Sequence, residues 1–174
     1  HALLKAHQVQ AVGVRYTPQG PDVQQFEKAL HAHQPRLYIT NAGIHNPTGA
    51  ALSPLVAHRL LKLVEGSELV IVEDDIFADF EHQHAPRLAA FDGLARVIQI
   101  GSFSKTVSAS VRCGYLAARP EWMDSLVDLK LATTFGAGRL AQDLILKILT
   151  DSGYRKHMDT VRQRLALNME KVAT

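Results

Sequence analysis

Lys105 lies in "GSFSKTVSASVRCGYL" (101–116), a run of small and apolar residues that also carries hydroxyls at Ser102 and Ser104 and a guanidinium at Arg112. An ammonium group in such a run loses water at a cost, so it either reaches solvent or serves chemistry. An amine kept from water has a depressed pKa and attacks carbonyl carbon to form a Schiff base. Two further clusters carry chemistry. "LVIVEDD" (69–75) ends an apolar run in acid, and "NAGIHNPTGAAL" (41–52) holds Asn46 in a turn-rich segment. Each has an ordinary reading when taken singly. NPTG is a common proline turn, an acidic strand end is a solvated turn or a metal site, and SFSK is a loop with a surface lysine.

Taken together, the clusters suit one cofactor, pyridoxal 5'-phosphate (PLP). A carboxylate at Asp74 can keep a pyridine nitrogen protonated, which makes the ring an electron sink for a carbonyl held by Lys105. Ser102, Ser104 and Arg112 supply hydroxyl donors and a planar cationic fork for the phosphate. Asn46 can donate to or accept from a ring oxygen. Competing signatures are missing: no GxGxxG follows a strand, and neither GxxxxGK[ST] nor GxSxG occurs.

The elements that must position these groups follow from periodicity. Strands are expected over Val9–Tyr16, Arg36–Thr40, Leu69–Asp75, Arg96–Lys105 and Cys113–Ala118. Asp22 caps an expected helix over Val23–His31, and Ser53 with Pro54 opens another that runs to about Glu65, where Gly66 stops it. Beyond Pro120 the pattern is helical, broken at "FGAG" (135–138). After Gly153 one long helix sets Tyr154, Met158, Val161, Leu165, Met169 and Val172 in a stripe, read as core or domain interface. Strands alternating with helices predict an α/β domain with a largely parallel sheet. Ligands of such sheets sit at the carboxyl ends of the strands, where all three polar clusters fall.

Composition bounds the rest. The chain has 174 residues, 47% hydrophobic and 21% charged, enough for one core. A net charge of +2 is too small to imply nucleic acid or an anionic membrane as a direct partner. The pairs His31/His33 and His82/His84 read as solvated histidines in polar connecting sequence, and no metal is expected. Cys113 is the single cysteine and reads as packing in a reducing, cytoplasmic setting. No apolar run approaches the ~20 residues of a membrane helix. His1 is not an initiator Met, and "HALLKAHQVQ" reads as a helix tail entering a strand, so the chain is expected to be a piece of something longer.

The ordered motifs "NPTG" (46–49), "VIVEDDIFADF" (70–80) and "GSFSKTVSASVRCGYLAARP" (101–120) resemble the large domain of fold-type I PLP enzymes, the class I/II aminotransferases. The likeness is strongest to the aminotransferase-like domain of MocR-type regulators in the GntR family. Kynurenine and α-aminoadipate aminotransferases share the same motifs. Tyr154, His157 and Arg162 favour the MocR group. The resemblance implies that Lys105 is the Schiff-base lysine, that Asp74 pairs with the pyridine nitrogen and that Asn46 contacts the phenolic oxygen. It also implies that Ser102 and Arg112 hold the phosphate, with help from Ser104. Phe77 stands where the family has a tyrosine reaching that same oxygen, and the missing hydrogen bond is worth about 0.5–1.5 kcal/mol.

On this likeness, residues 1–150 form the PLP-binding portion of the large domain, and 151–174 form a long helix leading towards a small C-terminal domain. The sheet is expected to be incomplete, with a gap between "VQAVGVRY" and "RLYIT". A glycine-rich phosphate turn and a winged-helix DNA-binding domain are expected upstream of His1. The arginine that grips a substrate carboxylate is expected beyond Thr174. The implied partners are an amino acid or effector and a second copy of the chain, with DNA bound only through the upstream domain. The implied function is that of a PLP-binding regulator module. The alternatives are a metabolic aminotransferase exchanging amino groups between an amino acid and a 2-keto acid, or a lyase or decarboxylase on the same scaffold. Aminotransferase chemistry is expected of the intact protein rather than of this chain alone.

Overall fold

The computed structural model describes residues 2–173 except Ala137. His1, Thr174, the Ala137 of the expected break and the side chain of Val172 in the expected stripe therefore lie outside the described residues. The elements begin with α1 (Ala2–Ala6), then β1 (Tyr16–Thr17) and β2 (Gly20–Pro21), which pair antiparallel with each other. The expected strand over Val9–Tyr16 is thus reduced to its last residue. Its β-branched residues have strand propensity but no ladder partner, and propensity without a partner does not make a strand. The gap expected beside it is present as a cavity of about 460 Å³, lined by Val9, Val12 and Val14 on one wall and Leu37 and Ile39 on the other.

Helix α2 (Val23–His33) starts where expected, because the Asp22 side chain accepts hydrogen bonds from the Gln24 and Gln25 amides. It runs further than expected, so His31 and His33 belong to its exposed last turn rather than to connecting sequence. Strand β3 (Leu37–Thr40) follows, then α3 (Pro54–Val64), whose N-cap Ser53 accepts from Val56 N. Gly66, at φ +79°, takes the left-handed turn after α3, a conformation glycine adopts without penalty.

Strand β4 (Val70–Asp74), the short helix α4 (Leu88–Asp92), β5 (Val97–Ser102) and β6 (Gly114–Ala117) complete the sheet. The order is β3-β4-β5-β6, with the first two pairings parallel and β5–β6 antiparallel. Ile71 and Val97 pack into the main core with Phe26, Leu60, Val64 and Leu88 from α2, α3 and α4. The last third is helical as expected: α5 (Met123–Thr134), α6 (Arg139–Thr150) and α7 (Ser152–Ala173). Along the α7 stripe Met158 is buried, Tyr154 and Val161 are half-buried, and Leu165 and Met169 are exposed, so only its first half packs.

Candidate functional site at the carboxyl edge of the sheet

Strand register determines which groups meet. Asp74 is paired with Ile100 and Ser102 with Gly114. Side chains alternate across a sheet, so Asp74, Ile100 and Ser102 share one face while Glu73, Gln99 and Gly101 point to the other. Because β3, β4 and β5 are parallel, their carboxyl ends form a common edge. Antiparallel β6 starts at that edge, so Arg112 and Cys113 enter it there. Asp74, Ser102, Ser104, Lys105 and Arg112 therefore all lie along one edge, and Asn46 stands in the loop that follows β3 on the same side.

Local hydrogen bonds hold these groups. Ile76 N donates to Asp74 Oδ1 (3.2 Å), which turns the chain sharply after β4. Ser104 N donates to Ser102 Oγ (3.1 Å), and Ser102 Oγ lies 3.5 Å from the Cys113 carbonyl. Strand β5 stops at Ser102, so Lys105 sits not on a strand end but on the turn 103–107, which closes as Val107 N donates to Phe103 O (2.9 Å). There Lys105 is exposed, which corrects the expectation of an amine kept from water; a polar side chain on such a turn reaches solvent at no desolvation cost. Arg112 is also exposed and adopts φ +47°, a left-handed conformation rare for a non-glycine residue.

The Asn46 loop is braced from below. His45 Nδ1 bonds Thr48 Oγ1 (2.8 Å), and the His45 ring stacks on Tyr16 with centroids 3.7 Å apart. Partial burial lowers the His45 pKa, and burial also pushes the Tyr16 hydroxyl up to about 12, so both are neutral at physiological pH. Phe77 is half-buried just past Asp74, with its ring 6.4 Å from that of Phe80.

The sequence reading missed what lies behind Asp74. Glu73 and Asp75, read as part of a solvated or metal-binding acidic end, are both buried. Glu73 accepts from Leu88 N (2.8 Å) and Ala89 N (2.9 Å) and so caps α4. Arg87 donates to Asp75 and Glu81 at 2.8 Å each, and Gln99 donates to Asp75 at 2.8 Å. Burial works against the Arg87 charge, but the hydrogen bonds to Glu81 and Asp75 outweigh it and hold its pKa above the usual value. The signal available in the sequence was the run of three consecutive acids. Alternation on a buried strand sends the first and third to one face and the second to the other.

The donor set fits PLP: a primary amine, a carboxylate on the neighbouring strand end, two hydroxyls, a guanidinium and a carboxamide on one edge. Comparison with known proteins agrees. The profile of the family "Aminotransferase class I and II" matches residues 1–174. The HTH-type transcriptional regulator NorG of Staphylococcus aureus (strain bovine RF122 / ET3-1) is 33% identical over 138 residues, 79% of this chain and 31% of the regulator. The HTH-type regulator YdfD of Bacillus subtilis (strain 168) is 32% identical over 136 residues, 77% of this chain and 28% of its own length. This chain thus spans about a third or less of those relatives. Among solved structures, the α-aminoadipate aminotransferase LysN of Thermus thermophilus superposes with a TM-score of 0.81 at 31% identity, over 89% of this chain and 41% of that one. The kynurenine aminotransferase of Pyrococcus horikoshii gives 0.83 at 22% identity over 93% and 43%, a likeness of fold. The edge geometry and these matches lead to one conclusion: the chain belongs to the class I and II aminotransferase family and is built as part of its fold-type I α/β domain.

Proposed function

We propose that this chain is the PLP-binding, aminotransferase-like part of a MocR-type transcriptional regulator of the GntR family. The observation that carries the reading is the gathering of Lys105, Asp74, Ser102, Ser104 and Arg112 on one carboxyl edge, in a chain whose curated relatives bear the names of HTH-type regulators. PLP would supply an aldehyde for an amine to condense with and a protonated ring that withdraws electrons. The Lys105 Nζ is the amine that holds it and, when free, a base that can take a proton from a substrate carbon. The Asp74 carboxylate holds a proton at the ring nitrogen. The Ser102 and Ser104 hydroxyls and the Arg112 guanidinium bind the phosphate, and the Asn46 amide donates to the ring oxygen. Phe77 brings an apolar wall and no donor to that oxygen.

In this reading residues 1–150 form the cofactor portion and α7 leads towards a second domain. The protein works as a cytoplasmic homodimer, senses an amino acid or similar effector, and reaches DNA through a separate winged helix. A second reading, a metabolic aminotransferase, is favoured by the 31% identity to LysN. Borohydride reduction of the full-length protein mixed with PLP, followed by peptide mapping, is expected to place the pyridoxyl mass on Lys105. Equal labelling of Lys105→Ala would overturn the assignment. Turnover of an amino acid with a 2-keto acid, without any effector-dependent change in DNA binding, would favour the enzyme.

A further inference from the structure

The first half of α7 is bonded to the rim of the site. Tyr154, Met158 and Arg162 are spaced i, i+4, i+8 and therefore share one face of that helix. The Tyr154 hydroxyl donates to Asp79 Oδ2 (2.6 Å), Arg162 Nη1 donates to the Asp79 carbonyl (2.8 Å), and Arg162 Nη2 pairs with Asp159 (2.5 Å). Met158, on the same face between Tyr154 and Arg162 in sequence, is 2% exposed. Asp79 belongs to the 3-10 turn Ala78–Phe80, immediately after Asp74 and Phe77. The buried Thr106, next in sequence to Lys105, stands beside the same phenol without closing an ideal hydrogen bond. One tyrosine hydroxyl thus sits between the segment that follows Asp74 and the turn that carries Lys105. Burial and the bond to Asp79 push this phenol up to about 12, so it remains a donor across the physiological range.

We propose that Tyr154, Arg162 and Asp79 are positioning residues that latch α7 to both rims of the PLP site, so that the placement of α7 sets the spacing between Asp74 and Lys105. The latch touches neither the cofactor nor the reacting atoms; it acts through the backbone of 76–80 and 103–107. It rests on the PLP reading above but has consequences apart from it. His157, on the same helix, is exposed and takes no part.

The test uses the full-length protein with Tyr154→Phe, Asp79→Ala and the double variant, plus His157→Ala as a control. The Tyr154→Phe protein is expected to keep its melting temperature within a few degrees and to bind PLP several-fold more weakly. The pH midpoint of the bound cofactor's absorbance band is expected to shift. The double variant should be no worse than the more affected single one, because both remove the same bond. Hydrogen exchange at 76–80 and 103–107 should rise in Tyr154→Phe and stay unchanged in His157→Ala. Unchanged PLP affinity, spectral midpoint and exchange in Tyr154→Phe would overturn the latch, as would strictly additive losses in the double variant. If wild-type protein takes up no PLP, the cofactor reading fails on its own, and exchange at the two segments alone decides the latch.

Discussion

At the scale of single residues, Arg112 combines two properties that seldom coincide without a use. It is an exposed cation, and it is held at φ +47°, where a side chain bearing a Cβ costs roughly 1–2 kcal/mol relative to the right-handed region. Strain of this kind persists where a site over-determines it. The left-handed turn ends the 3-10 segment Ala109–Val111 and feeds β6 back to the edge beside Ser102. Two substitutions separate charge from strain. Arg112→Ala keeps the strain and removes the guanidinium, whereas Arg112→Gly removes both. Each is expected to weaken PLP binding by ~10- to 100-fold, the size of a charge-assisted hydrogen bond, with much less effect on pyridoxal, which lacks the phosphate. Arg112→Gly should melt above Arg112→Ala. Dialysis binding of the two ligands, with thermal melts, checks both statements; equal losses for PLP and pyridoxal would remove Arg112 from the phosphate site.

At the scale of elements, most of the scaffold was legible, because its signals are local. Asp22, Ser53 with Pro54, and Gly66 mark helix ends by satisfying or releasing backbone groups nearby; α2 begins, and α3 begins and ends, within a residue or two of those marks. The edge location of Asp74, Ser102 and Lys105 was legible because parallel strands place their carboxyl ends together. Long-range partners were not legible. Nothing near Glu73 in sequence says that its carboxylate accepts the amides of Leu88 and Ala89, or that Arg87 neutralises Asp75 and Glu81. Glu73 gives a pH signature for this hidden layer. Burial raises its pKa above 4.5 despite the two amides. The folded state therefore holds that proton more tightly than the unfolded chain. The stability this contributes is fully present below the unfolded carboxyl value and is lost as pH rises through the folded one. Glu73→Gln carries no such proton and presents only one acceptor to two amides. Urea unfolding from pH 4 to pH 8 is expected to show the advantage of wild type over Glu73→Gln shrinking as pH rises. A constant difference would mean that Glu73 ionises as an ordinary carboxyl.

At the scale of the whole molecule, the chain leaves two kinds of surface bare. Strand β3 is an edge whose Ile39 is 54% exposed towards the cavity beside residues 9–14. Helices α5 and α6 expose Leu129, Leu131, Leu140 and Leu146. Unpaired strand edges and broad apolar patches both drive association. The 174-residue chain expressed alone is therefore expected to sediment well above its 19.2 kDa mass. The two routes respond to different substitutions. Ile39→Lys places a charge on the edge and should suppress edge-to-edge pairing, whereas Leu129→Glu should act only on the helical face. The same Ile39→Lys introduced into the full-length protein should have the opposite consequence if the cavity beside β3 is filled there. A lysine forced into a filled sheet loses its water with no partner, a cost of several kcal/mol, and the melting temperature should fall by many degrees. Sedimentation equilibrium on the short chain and thermal melts on the long one read the two effects separately. A substitution that calms the piece and harms the whole would identify β3 as an internal strand of the complete sheet; one that is harmless in both would leave β3 as a true edge.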